Sequence, residues 1–442
     1  MPDHEELDKR RQQRAARRKQ QQEEQRKLKR KLVIAAAVLL ICGVAILLLS
    51  LGGKEEAPNA AMESVPTETN TIPTTEAPDT APTEKSKRDP VTVINIRACG
   101  DLNITDEVIL AGAGANGYDF TRCFQDVAGV LSGADLTLLN FEGILSGGPY
   151  GGASTSAPLQ MAQALKAAGV DIVQTANSNS VQDGLIGLRS TLDSFRNAGI
   201  EPVGTFASPE EFKKSKGFTI CEIQGVKVAV VAFTKGVGSM GLPAGSEDCV
   251  NLLYNDYATT YQDIDEKGIK KLLKTVSKEK PDITIALLHW GSEYNDTVSA
   301  SQKKIASLMK EQGVDIIIGT HSHRVQQIDY SASGNTLVAY SLGDFFGSAT
   351  EAGSNYSIVL DIEITKDADA GTTQITGYSV IPIYTLKESE TCDGQRRVVV
   401  IEDAMKAYEE DFIDKVTPEA YASMEASLER IADRIKPKND QK

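Results

Sequence analysis

The stretch GVDIIIGTHSH, residues 313–323, shows the pattern that decides the fold. A glycine suited to the left-handed end of a helix is followed by an aspartate, an unbroken apolar run and two histidines. The same order of glycine or proline, aspartate, apolar run and polar end recurs over residues 133–142, 169–177 and 281–289. Such apolar runs are typical of strands buried on both faces. The repetition therefore predicts an α/β domain.

Other elements follow from the same kind of pattern. Further strands are predicted at residues 91–98, 226–233 and 336–341, and helical periodicity predicts helices at 159–168, 187–198 and 300–312. The charged stretch 402–435 is also helical in pattern, and it either packs on the domain or projects from it.

Polar side chains stand at the ends of the predicted strands. They are Asp101, Asn140, Glu142, Asn177, Asn179, His289, His321 and His323. Because ligands gather beyond the carboxyl ends of strands in α/β sheets, these side chains form the candidate site. Carboxylate, imidazole and amide oxygen together suit one or two ions of Mn, Fe or Zn.

Histidine usage strengthens this hypothesis. The chain has four histidines, and all except His4 stand at predicted strand ends. In an extended segment His321 and His323 would face the same side, which allows joint metal binding. The alternative interpretation of this pair alone is a polar turn.

The N-terminal region predicts a membrane anchor. Residues 32–51 read LVIAAAVLLICGVAILLLSL, an uncharged run of 20 residues that is long enough to cross a bilayer. The basic residues before it place the N-terminus in the cytoplasm and the main domain outside. A cleaved signal peptide is the alternative, but the basic region and the apolar run are both too long for one.

These features divide the chain into five segments. We expect a basic cytoplasmic tail (1–31), a transmembrane helix (32–52), a Thr/Pro-rich linker (53–90), the α/β domain (91–390) and a C-terminal helical extension (391–442). Residues 1–31 hold 12 Lys/Arg against 6 Asp/Glu, which leaves 35 basic and 55 acidic residues for the rest. So acidic a remainder argues against nucleic acid as a partner.

Cysteine usage gives no disulfide framework. Five of the six cysteines follow the apolar run, and none of them has CxxC spacing. Buried free thiols are favoured over a bridge such as Cys221–Cys249.

Five short motifs occur in one order along the chain and together resemble one family. They are Gly100-Asp101, Asn140-Phe-Glu142, His289-Trp-Gly-Ser-Glu293-Tyr294, Gly319-Thr-His-Ser-His323 and Tyr340-Ser-Leu-Gly-Asp344-Phe345. This set resembles the capsule-synthesis CapA family, which is associated with poly-γ-glutamate. The resemblance implies a calcineurin-like metallophosphatase sandwich of two mixed β-sheets flanked by helices.

The resemblance also suggests roles for the site residues. The expected metal ligands are Asp101, Asn140, Glu142, Asn177, His289, His321 and His323. Asn179 and His289 are the candidate catalytic residues. The candidate substrate contacts are Ser178, Trp290, Glu293, Arg324 and Asp344.

One motif departs from the family pattern. The family usually shows Ala-Asn-Asn-His followed by two residues and Asp, whereas residues 176–182 read ANSNSVQ. Ser178, Asn179 and Gln182 thus replace an amide, an imidazole and a carboxylate, and Asp183 is a candidate substitute for the last. Asn179 can donate a hydrogen bond but cannot supply a proton at neutral pH.

Three functions remain open from the sequence. The first is a surface-anchored, metal-dependent hydrolase or transferase in capsule or exopolymer synthesis. The second is a non-catalytic component that binds an anionic polymer or other capsule-synthesis membrane proteins, with Arg324 as a local positive charge. The third is a structural wall protein whose strand-end polar groups cap loops. Imidazoles are not needed for capping, which makes the third the weakest.

Overall fold

The computed structural model describes residues 90–238, 241–410 and 416–437 of the chain. The predicted cytoplasmic tail (1–31), the predicted transmembrane helix (32–52) and the predicted linker up to residue 89 lie outside the described residues. Among the helices of the described ranges, none combines the length and apolar character needed to cross a membrane. Every predicted site residue lies inside the described ranges.

The predicted strands and helices are confirmed, with small changes at their ends. In chain order the strands are β1 (Val91–Asn103), β2 (Ala113–Gly114), β3 (Gly117–Tyr118), β4 (Leu136–Glu142), β5 (Ile172–Gln174), β6 (Glu201–Val203), β7 (Thr219–Ile223), β8 (Val226–Thr234), β9 (Ile283–His289), β10 (Ile316–Thr320), β11 (Ile328–Ser331), β12 (Thr336–Ala339), β13 (Asp344–Phe346), β14 (Tyr356–Asp367), β15 (Thr372–Leu386) and β16 (Arg397–Val400). The α-helices are α1 (Asp106–Ala111), α2 (Thr121–Phe124), α3 (Ala128–Ser132), α4 (Gln160–Ala168), α5 (Gly184–Ala198), α6 (Pro209–Ser215), α7 (Glu266–Lys278), α8 (Ala300–Glu311), α9 (Ile401–Glu409) and α10 (Pro418–Arg434).

Two mixed sheets form the body of the domain, as expected, and β2 pairs with β3 in a small separate sheet. The first sheet has the order β16-β15-β14-β1-β4-β5-β6, with β13 pairing beside β1, and the second has the order β11-β12-β10-β9-β8-β7. Strands β1, β4, β5 and β6 pair in parallel, as do β8, β9, β10 and β12. Strand β13 also pairs with β1 in parallel. The antiparallel strands of the two sheets are β14, β15, β16, β11 and β7.

The main core lies between the sheets. Ile96 and Leu138 from the first sheet belong to one buried cluster with Val230, Ile285 and Ile318 from the second. On the outer face of the first sheet, α2 and α4 bury their apolar side chains. Helices α7 and α8 do the same on the second sheet. The recurring apolar runs are continuous because both faces of these strands are covered.

The aspartate of each repeated unit has a structural role at the amino end of its strand. Asp135, Asp171, Asp282 and Asp315 each accept the backbone N–H of a residue on the neighbouring strand through Oδ2, at 2.7–3.1 Å. Their own backbone N–H donates to the carbonyl of that same residue. Each aspartate therefore forms two hydrogen bonds, one through its carboxylate and one through its backbone N–H, that join adjacent parallel strands.

The residues beyond 390 belong to the same sandwich. Strand β16 pairs with β15 along the edge of the first sheet, and Ala420, Met424 and Ile431 of α10 are buried in the cluster between the sheets. The expected boundary at residue 390 therefore does not separate an extension, because both the sheet and the core continue past it. Of the two alternatives for the C-terminal helices, the structure shows packing on the domain.

Cys99, Cys123, Cys221 and Cys249 are free thiols. Cys99, Cys123 and Cys249 are buried. Burial raises the pKa of Cys123 to about 12, so this thiol is unreactive at neutral pH.

Candidate metal centre

Strand register brings the first group of site residues together. Asp101 lies beside Asn140 of β4 and beside Asp344 of β13 in the pairing of the first sheet. In the second sheet His289 ends β9 next to Thr320 at the end of β10. Asp101, Asn140 and His289 lie at or near the carboxyl ends of parallel strands, and Asp344 begins β13 beside Asp101. The two sheets therefore deliver their polar residues to one place.

Two glycines allow the strands to approach this closely. A Cβ on Gly100 would lie 1.8 Å from the carbonyl oxygen of Gly343, and one on Gly319 would lie 2.0 Å from that of Tyr340. The close approach at Gly100 lets the backbone N–H of Asp101 donate to the carbonyl of Gly343 at 2.9 Å. The Gly-Asp and Gly-Thr-His motifs therefore owe their glycines to backbone packing.

The loop after β10 places both remaining imidazoles at the site by a route the sequence does not predict. We expected His321 and His323 to alternate along an extended segment, but both have left-handed backbones, with φ of 83° and 54°. The backbone N–H of His321 donates to Asp101 Oδ2 at 3.0 Å, which helps to hold this conformation. Such strain at non-glycine residues is typical of functional sites.

Glu142 is the centre of the cluster. Its Oε1 lies 3.4 Å from His289 Nε2 and 4.0 Å from His321 Nδ1, and its Oε2 lies 3.7 Å from His323 Nε2. All four side chains are buried. One carboxylate thus faces three imidazoles where the strand ends of the two sheets meet.

Asp101 forms the second half of the cluster with two supporting residues. Its Oδ1 accepts a hydrogen bond from Asn140 Nδ2 at 2.5 Å, and its Oδ2 lies 3.9 Å from His323 Nδ1. The same nitrogen of His323 pairs with Asp344 Oδ1 at 2.7 Å. Asp344, expected as a substrate contact, is therefore buried and orients a histidine.

The pKa directions follow from burial and neighbouring charge. Burial opposes ionisation of Glu142, but the charges of His289 and His323 outweigh it and hold the pKa at about 2. Burial, and then the negative charge of Glu142, raise the pKa of Asp101 well above its usual range. Burial lowers the pKa of His321, and His289 lowers it further. Buried carboxyls that repel each other form an environment that a cation would stabilise.

The residues present fit a divalent metal. Glu142 Oε2, His321 Nδ1 and Asn140 Oδ1 are buried and have no hydrogen-bond partner within the described residues, although buried polar atoms are normally paired. Two ligand sets with no shared member have donor atoms within 4.8 Å of one another: Glu142 with His289 and His321, and Asp101 with His323 and Asp344. Carboxylate and imidazole are ligands of Mn, Fe and Zn, so one or two such ions fit here.

The substituted loop contributes less than expected. Asn177 Oδ1 accepts the backbone N–H of Asn179 at 2.9 Å, and its Nδ2 donates to the Phe141 carbonyl at 2.5 Å. The expected metal ligand Asn177 is thus occupied by backbone groups and shapes the loop. Ser178 Oγ lies 3.1 Å from His289 Nε2, so the serine does reach the centre. Asn179 is half-buried beside it.

The carboxylate substitute in this loop is not found at the centre. Asp183 Oδ2 accepts a hydrogen bond from Ser146 Oγ at 2.5 Å. Gln182 donates to the carbonyl of Ala153 at 2.8 Å and accepts the backbone N–H of Thr155. Both side chains hold the neighbouring loop, and Asp183 therefore does not replace the missing ligand.

The other expected substrate contacts differ in exposure. Trp290 is fully buried, stacks on Tyr340 and donates to its carbonyl at 2.9 Å, so it belongs to the core and cannot contact substrate. Glu293 is exposed, and its carboxylate lies within 4.8 Å of ligand nitrogens of His321 and His323. Arg324 is half-buried next to the histidine loop.

Sequence reasoning missed Lys235 at this site. Lys235 follows β8, and its backbone N–H donates to the carbonyl of His289 at 2.8 Å. Its positive charge is one cause of the lowered pKa of His321. The strand-end rule that selected the histidines would have found it, because it comes directly after the apolar run of β8.

Comparison with protein families gives one match over most of the domain. The family described as "Bacterial capsule synthesis protein PGA_cap" matches residues 95–348. The matched region holds every residue of the two ligand sets.

Two curated proteins are similar over part of their length. A capsule biosynthesis protein CapA from Bacillus anthracis is 32% identical over 190 residues, which is 43% of this chain and 43% of that protein. A PGA biosynthesis protein CapA from Bacillus subtilis (strain 168) is 28% identical over 181 residues, which is 41% of this chain and 43% of that protein. The similarity thus spans less than half of either relative.

Solved structures show distant likeness. A phosphatase from Mycoplasma pneumoniae is 14% identical with a TM-score of 0.40, covering 66% of this chain and 94% of that one. A calcineurin-like phosphoesterase YfkN from Bacillus subtilis is 18% identical with a TM-score of 0.38, covering 66% and 91%.

Proposed function

Because the chain belongs to the PGA_cap family of bacterial capsule synthesis proteins, we propose that it acts in making a capsule or exopolymer of the poly-γ-glutamate type. The observation that supports a chemical role is the buried cluster of carboxylates and imidazoles, in which several oxygen and nitrogen atoms have no hydrogen-bond partner among the described residues. A purely structural role leaves that cluster without a purpose, since unpaired buried polar atoms cost stability.

The cluster is best suited to a metal-dependent hydrolase or transferase on a calcineurin-like metallophosphatase sandwich. When bound, Mn, Fe or Zn would supply a Lewis acid and activate water. Glu142, His289 and His321 would hold one ion, and Asp101 and His323 a second. Both sets suit transfer at a phosphoryl or carboxyl-type centre.

Residues around these ligands keep them in place. Asn140 donates to Asp101 and fixes the carboxylate, and Asp344 holds His323 Nδ1 so that Nε2 faces Glu142. Such supporting hydrogen bonds set ligand orientation and metal affinity. Asn179 can donate a hydrogen bond to a substrate oxygen, but the leaving group must take its proton from elsewhere.

The second candidate function is a non-catalytic component that binds an anionic polymer or a partner membrane protein. The substituted loop favours it. Ser178 and Asn179 stand where the family pattern has an amide and an imidazole, and Asp183 is bound to Ser146 instead of the centre. A site with metal ligands but no proton donor would still bind a charged group.

The proposed location is the outer face of the cell membrane. The apolar run 32–51 would anchor the chain by a single helix, the basic tail 1–31 would remain in the cytoplasm, and the linker 53–90 would carry the domain outward. Protease treatment of intact cells tests this arrangement: cleavage of the domain with retention of the tail is expected, and full protection would contradict it.

Turnover by the Mn-loaded, full-length chain separates the two functions. We expect slow hydrolysis of bis(p-nitrophenyl) phosphate that is abolished in His289→Ala and raised at least roughly tenfold in Asn179→His, because the imidazole can stabilise the charge of the transition state. Lys304→Ala, an exposed residue paired with Glu266, is the control.

Absence of ester hydrolysis would contradict the hydrolase proposal. If the wild-type chain and Asn179→His both bind Mn but neither hydrolyses the ester, the hydrolase proposal is wrong for this ester class and the binding role is favoured.

A further inference from the structure

Lys235 is held beside the metal centre by three contacts. Its backbone N–H donates to the carbonyl of His289 at 2.8 Å. Its Nζ donates to the carbonyl of Gly291 at 2.9 Å and lies 4.5 Å from the centre of the Tyr261 ring. Gly291 begins the loop that carries Glu293 to the mouth of the centre. The ammonium group is therefore fixed where that loop leaves β9.

The charge of Lys235 has no counter-charge in contact. Within the described ranges, Nζ is paired with one carbonyl and one aromatic face, and no carboxylate forms an ion pair with it. The side chain is half-buried. Glu293 acts on this charge without an ion-pair contact. Because an ammonium that is partly withdrawn from water lacks a paired anion, an anion that contacts Nζ would be stabilised.

The charges of Lys235 and Arg324 act on different groups of the domain. The sequence suggested Arg324 as the local positive charge, but its charge acts on Tyr356 together with Arg430 and Arg434, on the side of α10. Lys235 acts on His321 instead. Lys235 therefore brings a positive charge to the edge of a centre rich in carboxylates, with Glu293 acting on it from a longer distance.

Resting on the proposed function, we propose that Lys235 binds an oxyanion of the substrate at the mouth of the metal centre. The group is a phosphate or a carboxylate, and the lysine selects anionic over neutral substrates. The ammonium would donate to one oxygen of that group while the metal ligands face the same group from the other side. Lys235 is thus a specificity-determining residue that the family motifs in this sequence do not include.

Binding of two probes to the Mn-loaded, full-length chain tests this. Inorganic phosphate and glutarate are titrated by calorimetry into the wild type, Lys235→Ala, Lys235→Arg and the control Lys304→Ala. We expect Lys235→Ala to weaken binding of at least one probe by roughly tenfold or more, because a charge-assisted hydrogen bond is lost. Lys235→Arg should recover much of the affinity, and the probe that loses most identifies the oxyanion class.

Manganese affinity distinguishes anion binding from a loop-holding role. Removing a neighbouring cation should leave Mn binding by Lys235→Ala equal or tighter, whereas collapse of the loop at Gly291 would weaken Mn binding as well. Unchanged probe binding in Lys235→Ala, no binding of either probe by the Mn-loaded wild type, or parallel loss of Mn and probe would overturn the inference. If the wild type binds no Mn but binds a probe through Lys235, the proposed metal function fails while the anion site stands.

Discussion

The two ends of the same strands carry similar polar residues that differ in their hydrogen bonding. At the amino ends Asp135, Asp171, Asp282 and Asp315 have their carboxylates paired with backbone N–H groups of the next strand. At the carboxyl ends the buried side chains of Asn140, Glu142 and His321 keep donor or acceptor atoms without hydrogen-bond partners among the described residues.

This difference in hydrogen bonding separates the polar residues that stabilise the fold from those that are available to bind a ligand. A polar group whose hydrogen bonds are completed by the backbone is structural, whatever its position in a motif. Asn177 illustrates this, because its amide is satisfied within its own loop and at Phe141 although it stands among site residues. Buried polar atoms that lack hydrogen-bond partners and come together from two sheets indicate that the carboxyl ends of these strands form the functional site.

The largest expected effect is at the centre of the unpaired end. Glu142→Gln should weaken Mn binding by at least roughly a hundredfold, because the carboxylate that faces three imidazoles loses its charge. Titration of Mn into the full-length chain, followed by the fluorescence of the single and buried Trp290, measures the affinity.

The matched control for this change is Glu222→Gln, an exposed residue of β7. Mn affinity equal to that of the wild type is expected for the control. Wild-type affinity in Glu142→Gln itself would show that the unpaired carboxylate holds no metal.

A smaller effect is expected at the residue that supports His323. Asp344→Ala should weaken Mn binding roughly ten- to a hundredfold, because the 2.7 Å contact that orients the imidazole is lost. Asp344→Asn retains an oxygen that can accept from His323 and should lose less. Equal affinities for the two variants in the same titration would mean that orientation by Asp344 is unimportant.

The smallest effect is expected at the paired end, and it should depend on pH. Burial raises the pKa of Asp315 to about 6, above its ordinary value, so folding favours the protonated form and ionisation above pH 6 costs stability. Asp315→Asn keeps an acceptor for the Thr284 N–H without the charge. Relative to this variant, the wild type should therefore lose about 1–2 kcal/mol of unfolding free energy between pH 4.5 and pH 7.5.

Denaturant unfolding at the two pH values, followed by Trp290 fluorescence, measures this difference. The Mn affinity of Asp315→Asn should stay within about twofold of the wild type, because the residue lies at the far end of β10 from the histidine loop. A pH-independent stability difference, or a large loss of Mn affinity, would remove the distinction between the strand ends.

Much of the fold could be predicted because its signals are local. The recurring helix stop, aspartate and apolar run place the strands within a few residues, and continuous apolar runs indicate strands covered on both faces. The C-terminal boundary was wrong because β16 and α10 join the sandwich through long-range pairing and packing. Neither the short run of β16 nor the charged helical pattern of α10 shows in its own sequence which element it will contact.

The site was predictable in its main ligands and less so in its supports. Strand-end position found Asp101, Glu142 and the histidines, but residue type alone could not show that Trp290 is buried or that Asp344 pairs with His323. Both facts depend on contacts between the end of one strand and loops distant in sequence. The left-handed backbone of the histidine loop likewise comes from its contact with Asp101.

Metal content of the purified full-length chain tests the central claim most directly. Elemental analysis should find one or two equivalents of Mn, Fe or Zn in the wild type and in Asp315→Asn, and close to none in the double variant His321→Ala with His323→Ala. A wild-type chain free of transition metal that also fails to take up added Mn or Zn, or a double variant that retains the wild-type content, would contradict it.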